Sequence, residues 1–263
     1  MSDSPTGAAA DSQHSAGHAY DTIAEGYAAL NRDSLLNEYY NRPAIRELAG
    51  DVRGRRVLDA GCGSGPVFAD LRDGGATVTG MDASSGMLEQ ARQRLGADAD
   101  LVLADLGAPL PFADDAFDDV IVSQALHYLR DWAPTLAEFH RVLRPGGRLI
   151  VSEEHPAAVF LGDRLAGGTS EYFGVRPRTE EWTLGGRTAE LTFWDRPLHA
   201  MTDAFAAAGF RIVTISEPAP APAAYELFPD EFAGRPSGRF LAFLLFVLES
   251  VTPPATERHA EAV

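Results

Sequence analysis

Residues 57–65 read V-L-D-A-G-C-G-S-G, an apolar run that ends in an acid and opens into a loop with glycine at every second position. A strand that enters such a loop brings bare backbone to the edge of a sheet. Glycine has no Cβ, adopts positive φ and lets a ligand approach the main-chain amides. The nicotinamide-binding fingerprint is spaced G-x-G-x-x-G, its third glycine packing helix on strand, whereas Gly61, Gly63 and Gly65 are spaced G-x-G-x-G. The turn alone leaves the ligand open, and its neighbours must decide.

Those neighbours alternate. A strand at 56–59 leads into the turn, a helix at 67–72 follows, and a strand at 77–81 ends at Asp82. Next come a helix at 85–95, a strand at 99–103 ending at Asp105, a strand at 117–123 and a helix at 132–142. The L-R-P-G-G turn at 143–147 then precedes a strand at 148–153. Repeated βα units predict a parallel sheet with helices on both faces. Upstream, Tyr20, Ile23, Ala24 and Tyr27 recur at helical spacing and predict an amphipathic helix over 20–30, with a second over 35–48.

After Glu153 the rhythm breaks. Gly185-Gly186, set between 181–184 and 188–193, predicts a β-hairpin. A helix at 198–208 stops at Gly209, and strands at 211–215 and 241–248 close the sheet around a Pro-rich surface link at 218–236.

The 263 residues suit one large domain over 18–251, with N-terminal helices in 18–50 and an insertion at 155–197. Residues 1–17 read as a disordered tail and 252–263 as a flexible one. With 22 basic against 38 acidic side chains, the net charge of -16 disfavours nucleic acid as a partner. Cys62 is the only cysteine, which excludes an internal disulfide and suits a cytoplasmic protein. The longest apolar run, 240–248, is too short to span a membrane and reads as a buried strand.

In an open parallel sheet, ligands lie beyond the carboxyl ends of the strands. Asp59, Asp82 and Asp105 each end a strand there. Asp82 stands at the distance past the glycines where a carboxylate accepts both hydroxyls of a ribose; a solvated acid or a cap for Ser84-Ser85 is the alternative. V-L-D-A-G-C-G-S-G, M-D-A-S, A-D-L, F-D-D-V-I-V-S-Q-A-L-H-Y-L and L-R-P-G-G follow one another in order. With them the chain resembles class I S-adenosylmethionine-dependent methyltransferases, over residues 20–155 and loosely beyond. The subgroup it looks most like is the small-molecule enzymes similar to those of ubiquinone and menaquinone biosynthesis.

The resemblance implies a Rossmann-like, doubly wound, mainly parallel seven-stranded sheet with an antiparallel last strand, N-terminal lid helices and an inserted β-hairpin. It implies S-adenosyl-L-methionine as cofactor. Gly61, Gly63 and Gly65, with the small Cys62 between them, would let its methionine portion lie on the backbone, with Asp59 near the ammonium group. Asp82 would hold the ribose, Ala83 and Met87 would flank the adenine, and Asp105 with the Leu106 backbone would read the adenine edge. Ser123 and Ala125 would line the methyl side. Tyr20 and Tyr27, in a Y-D-x-x-A-x-x-Y pattern similar to the subgroup's lid helix, would close over the methionine carboxylate or pack as an aromatic face.

Methyl transfer from an activated sulfonium asks mainly for alignment, plus removal of a proton from some acceptors. Candidate bases at the ends of strands four and five are His127, Glu153, Glu154 and His155. His155 is preferred because Pro156 fixes the chain direction after it; a loop histidine bonded to backbone is the plainer alternative, as packing is for His127. Tyr172, Phe173, Trp182, Phe193 and Trp194 either wall an aromatic or lipophilic acceptor or form the hairpin's own core, and Arg196 is read as structural. Asp114, Asp115, Asp118 and Asp119 match the family's loop before strand four, so no metal is expected. The expected activity is methyl transfer to a small molecule, most of all at oxygen, by a monomer or homodimer. The alternative is a cofactor-binding protein on the same fold that transfers no methyl, either a scaffold or a cyclisation enzyme.

Overall fold

A strand covered on both faces is apolar along its whole length rather than at alternate positions. Strands β1 (Arg56–Ala60), β4 (Phe117–Ser123) and β9 (Phe243–Ser250) have that character, with near-continuous burial along each. In the computed structural model, which describes residues 7–251 apart from Pro236, they lie inside a seven-stranded sheet. Strands β2 (Thr77–Asp82), β3 (Asp100–Leu103), β5 (Leu143–Glu154) and β8 (Phe210–Ser216) complete it, in the order β3-β2-β1-β4-β5-β9-β8. Pairs from β3 to β5 are parallel, and β9 runs antiparallel to both β5 and β8. The expected doubly wound sheet is the one that forms. Its strand order reverses between β1 and β4, where a crevice opens at their carboxyl ends.

Each face is sealed by its own helices. Trp132, Leu136, Phe139 and Phe205, from α5 (Ala133–Val142), α7 (Leu198–Ala207) and the residue before α5, pack on one side. Ile45, Phe68, Leu71 and Leu95, from α2 (Arg42–Ala49), α3 (Pro66–Asp73) and α4 (Ser85–Leu95), pack on the other.

A third layer covers the carboxyl ends of the strands. Helix α1 (Gly7–Asn31) crosses the hairpin β6 (Arg176–Leu184) and β7 (Arg187–Asp195), and Ile23, Leu191, Phe193 and Tyr128 form a small core between them. The hairpin is a separate two-stranded sheet. Gly185 and Gly186 have φ of 59° and 75°, the double left-handed turn that a two-residue hairpin needs. Asp21 of α1 accepts from Ser84 Oγ at 2.7 Å and from Gly86 N at 2.8 Å, pinning the lid to the amino end of α4.

Several expectations need correction. Helix α1 begins at Gly7, so residues 7–17 of the expected tail are helical; Ala8, Ala9 and Ala10 are the strongest helix formers and outweigh the neighbouring Ser and Gly. Residues 1–6 and the expected tail at 252–263 lie outside the described residues. The second lid helix is broken into a π-helical turn, Asn37–Asn41, and α2; Arg42 N donates to Asn37 O, and Pro43 has no N–H with which to continue an α ladder. L-R-P-G-G belongs to the start of β5 as an irregular lead-in, with a register shift opposite Phe117 and Asp119 and φ of 71° at Gly146. Helix α6 (Pro156–Leu165) was not expected, nor were the short α8 (Pro222–Leu227) and α9 (Pro229–Phe232) within the Pro-rich link.

Candidate active site

The crevice between β1 and β4 opens into a cavity of about 140 Å³ beneath the lid. The glycine turn forms its floor. Gly61 N and Cys62 N both donate to Met81 O, at 2.8 and 2.9 Å, which folds the loop back over β2. Gly61 has φ of 78°, and a Cβ there would stand 2.6 Å from the Ala125 Cβ. Only glycine lets the loop after β1 meet the residue after β4 so closely.

Asp59, Tyr20, Tyr27, Gly61, Cys62, Gly63, Asp82, Ala83, Met87, Leu106, Ser123 and Ala125 all line this cavity. Two expected members do not. Gly65 caps α3 with φ of 77°, and a Cβ on it would stand 2.7 Å from Leu95 Cδ1, so it serves helix packing. Asp105 turns its Oδ1 onto Gly107 N at 2.8 Å, a local Asx turn, while Ala104 and Leu106 on either side face the cavity.

Asp59 is 1% exposed, and its Oδ2 has no hydrogen-bond partner among the described residues. Burial, reinforced by the negative charge of Asp82, pushes its pKa up to about 7; a backbone hydrogen bond from Phe68 offsets only part of this. A buried carboxylate with an idle oxygen fits a ligand that brings its own cation, as the ammonium group of S-adenosyl-L-methionine does. Asp82 joins the loop to β2: Oδ2 accepts from Gly63 N at 2.8 Å and Oδ1 from Ser84 N at 2.9 Å. Each oxygen keeps lone pairs for ribose hydroxyls. Ser84 itself caps α4, accepting from Met87 N at 3.0 Å. Overhead, the hydroxyls of Tyr20 and Tyr128 meet at 2.6 Å, while Tyr27 stacks on Trp182. Burial holds both bonded phenols well above the ordinary tyrosine range.

A second, smaller cavity, of about 30 Å³, lies beyond the single-turn helix Leu126–Tyr128. Ala125 and Tyr128 face the first cavity and His127 the second, so one turn contributes to both and brings them side by side. His127 is 8% exposed. Its Nδ1 stands 3.0 Å from Glu153 Oε2, and its Nε2 has no hydrogen-bond partner among the described residues. Burial works against the imidazolium, but the charge of Glu153, with Glu154 behind it, prevails and raises the pKa. Glu153 is fixed by accepting from Leu126 N at 3.0 Å. Tyr172 and Trp194 line this cavity, Trp182 and Phe193 belong to the lid core, and Phe173 is 74% exposed. The two readings of the aromatic segment are thus divided among its members.

Residues 58–151 match the family model described as a methyltransferase domain. A demethylmenaquinone methyltransferase of Clavibacter sepedonicus is 38% identical over 137 residues, 51% of this chain and 56% of that one. The chain thus spans little more than half the length of that relative. Among solved structures, an S-adenosylmethionine-dependent methyltransferase from Listeria monocytogenes aligns with a TM-score of 0.65 at 24% identity, over 81% of this chain and 97% of that one. Another from Mesorhizobium loti gives 0.61 at 26%, over 83% and 99%. This is a class I methyltransferase fold.

Within the methyltransferase fold, His155 is placed differently from expectation. It lines neither cavity; it caps α6, with Nδ1 accepting from Ala157 N at 3.2 Å and Nε2 3.0 Å from Glu217 Oε1. The residue after it is proline, whose missing N–H suits a first helical turn, so His155 is recruited as a cap. The acids at the start of β4 and just before it serve another end of the sheet: Asp119 is clamped by Arg55 and Arg148, Asp118 by Arg144, and Asp114 by Arg141. Sequence reasoning missed Asn41 and Gln124. Asn41 Nδ2 donates to Ser123 Oγ at 2.9 Å and Gln124 Nε2 to Ser152 Oγ at 3.1 Å, beneath the cavity that both residues line. Gln124 has φ of 55°, strain of a kind that collects at functional sites, and it has no one-letter signature.

Proposed function

We propose that the protein is an S-adenosyl-L-methionine-dependent methyltransferase acting on a small molecule at oxygen, as one cytoplasmic domain over residues 18–251. The observation that carries the reading is the buried, half-engaged Asp59 carboxylate in a cavity floored by the glycine turn. The cofactor, when bound, supplies a methyl group already activated on a sulfonium. Asp59 receives the ammonium group, and Asp82 receives the ribose hydroxyls. Ala83, Met87 and Leu106 form the apolar slot for the adenine. The Tyr20–Tyr128 pair and the stacked Tyr27 exclude water from above.

His127 holds the other side. Its Nε2 takes the proton of an acceptor hydroxyl, and Glu153 faces the imidazolium that results. Among the described residues no helix is long and apolar enough to cross a membrane, which suits an acceptor delivered from solution.

Calorimetry with S-adenosyl-L-homocysteine and with NADH tests the first half of the reading. Binding of the first and not the second is expected, and the reverse overturns it. Labelled S-adenosyl-L-methionine offered with a panel of phenols, acids and amines tests the second half. Tight cofactor binding with transfer to no acceptor would favour a non-transferring protein on the same fold.

A further inference from the structure

The second cavity contains buried polar nitrogens that the protein itself leaves unanswered. Besides His127 Nε2, the indole Nε1 of Trp194 and the Nε of Arg196 are buried without a hydrogen-bond partner among the described residues. Indole and guanidinium nitrogens only donate, so what they lack is an acceptor. Most nearby carboxylates are already engaged. Glu154 takes Arg178 at 2.6 Å, Asp195 Oδ1 accepts from Arg178 Nε at 3.0 Å, and Glu153 faces the Leu126 amide and His127. Asp195 Oδ2 has no hydrogen bond among the described residues, but it lies 2.9 Å from the Arg176 guanidinium, which neutralises its charge.

Arg196 differs from these other arginines. Nη2 donates to Arg130 O at 2.7 Å and the guanidinium lies over the Trp132 ring, 4.4 Å from its centroid. Among the described residues it forms no ion pair. Burial depresses its pKa, answered only in part by the charges of Glu153 and Asp131. Arg196 is half-buried, and a cation held away from water without a counter-ion costs free energy that a bound anion offsets. Phe160, Tyr172 and Met201 line the same cavity as Trp194 and give it apolar and aromatic walls.

We propose that this cavity is the acceptor site and that it takes a planar hydroxyarenecarboxylate, with the hydroxyl at His127 Nε2 and the carboxylate at Arg196 Nε and Trp194 Nε1. The proposal rests on the methyltransferase reading and narrows it to one substrate class. In the transfer, the hydroxyl proton passes to His127 Nε2 and the oxygen lone pair forms the new O–C bond. The methyl–sulfur bond breaks with its electron pair going to sulfur, leaving a methyl ether and a neutral thioether. Arg196, which the sequence presents as a structural residue of an R-P-L turn, becomes the anchor for the acceptor's charge.

Calorimetry of the full chain with S-adenosyl-L-homocysteine present, titrated with 1-hydroxy-2-naphthoate or 1-naphthol, tests this. The acid is expected to bind at least about tenfold more tightly than the naphthol, the advantage of a charge-assisted hydrogen bond. Arg196→Gln is expected to abolish that preference while leaving S-adenosyl-L-homocysteine affinity within about twofold, since the two sites are separated. Trp194→Phe keeps an aromatic face, loses the donor and is expected to reduce the preference; it decides the matter if Arg196→Gln does not fold. Equal binding of acid and naphthol, or a preference that survives both variants, overturns the proposal and leaves the cofactor reading standing. Failure of the wild type to bind S-adenosyl-L-homocysteine overturns both.

Discussion

Asp59 is held in a state that the rest of the protein does not relieve. Its folded pKa of about 7 lies above the ordinary 3.8, so between those values the folded chain keeps a proton that the unfolded chain has released. Stability contributed by that proton is complete below pH 4 and is lost as the pH rises through 7. Asp59→Asn should therefore melt above the wild type at pH 8 without ligand, equal it near pH 4, and bind S-adenosyl-L-homocysteine at least about tenfold more weakly. Thermal melts and calorimetry read both. Asp82→Ala should lose about 1.5–3 kcal/mol of cofactor binding, one to two decades. His127→Asn should lower kcat by about 10²–10⁴-fold with S-adenosyl-L-homocysteine affinity unchanged. The wild-type rate should climb with pH to a plateau reached above the ordinary histidine value of 6.5, because the base must be neutral and its pKa is raised. Asp59 and Asp82 stand in the cavity lining because motif order sets them at strand ends. Gly65, Asp105 and His155 lie outside that lining because the same letters also serve packing, an Asx turn and a cap, distinctions that only three-dimensional neighbours make.

At the scale of elements, the lid is joined to the rest by close backbone approaches. A Cβ at Gly26 of α1 would stand 2.7 Å from the Leu184 main-chain carbon, and one at Gly17 would stand 3.0 Å from Ala83 O. In an exposed helix Gly→Ala gains up to about 1 kcal/mol, but overpacking costs about 1–3 kcal/mol and the obstacle at Gly26 is backbone that cannot rotate away. Gly26→Ala should separate α1 from the hairpin, with faster proteolysis in 176–195 and weaker S-adenosyl-L-homocysteine binding by calorimetry. A variant that binds more tightly would show that the lid contact has been misjudged. The hairpin was legible from Gly185-Gly186, whose turn geometry is a local property. Helix α6 was not, since Leu161 and Leu165 are 50% and 89% exposed and erase the apolar stripe that periodicity detects.

For the whole molecule, the decisive feature is where β9 lies. Residues 243–248 are all buried, and β9 pairs with β5 on one side and β8 on the other. A chain stopped before Phe243 should fail to fold, losing its cooperative melt by circular dichroism. Replacement of 176–195 by a short turn should leave a cooperative melt, since that hairpin is a sheet of its own. The βα alternation made the parallel half readable from local pattern, but strand order is a long-range property of which no single segment carries a trace. That order bears on how the protein is made. A chain emerging residue by residue at the ribosome completes β1 to β5 while the edge of β5 stands unpaired and β8, whose sheet partner is β9, has nothing to pair with, so both are open to any other strand. Until β9 emerges, the nascent chain is a client for chaperones, and a pause in translation within residues 217–242 would prolong the interval in which it is most prone to aggregate.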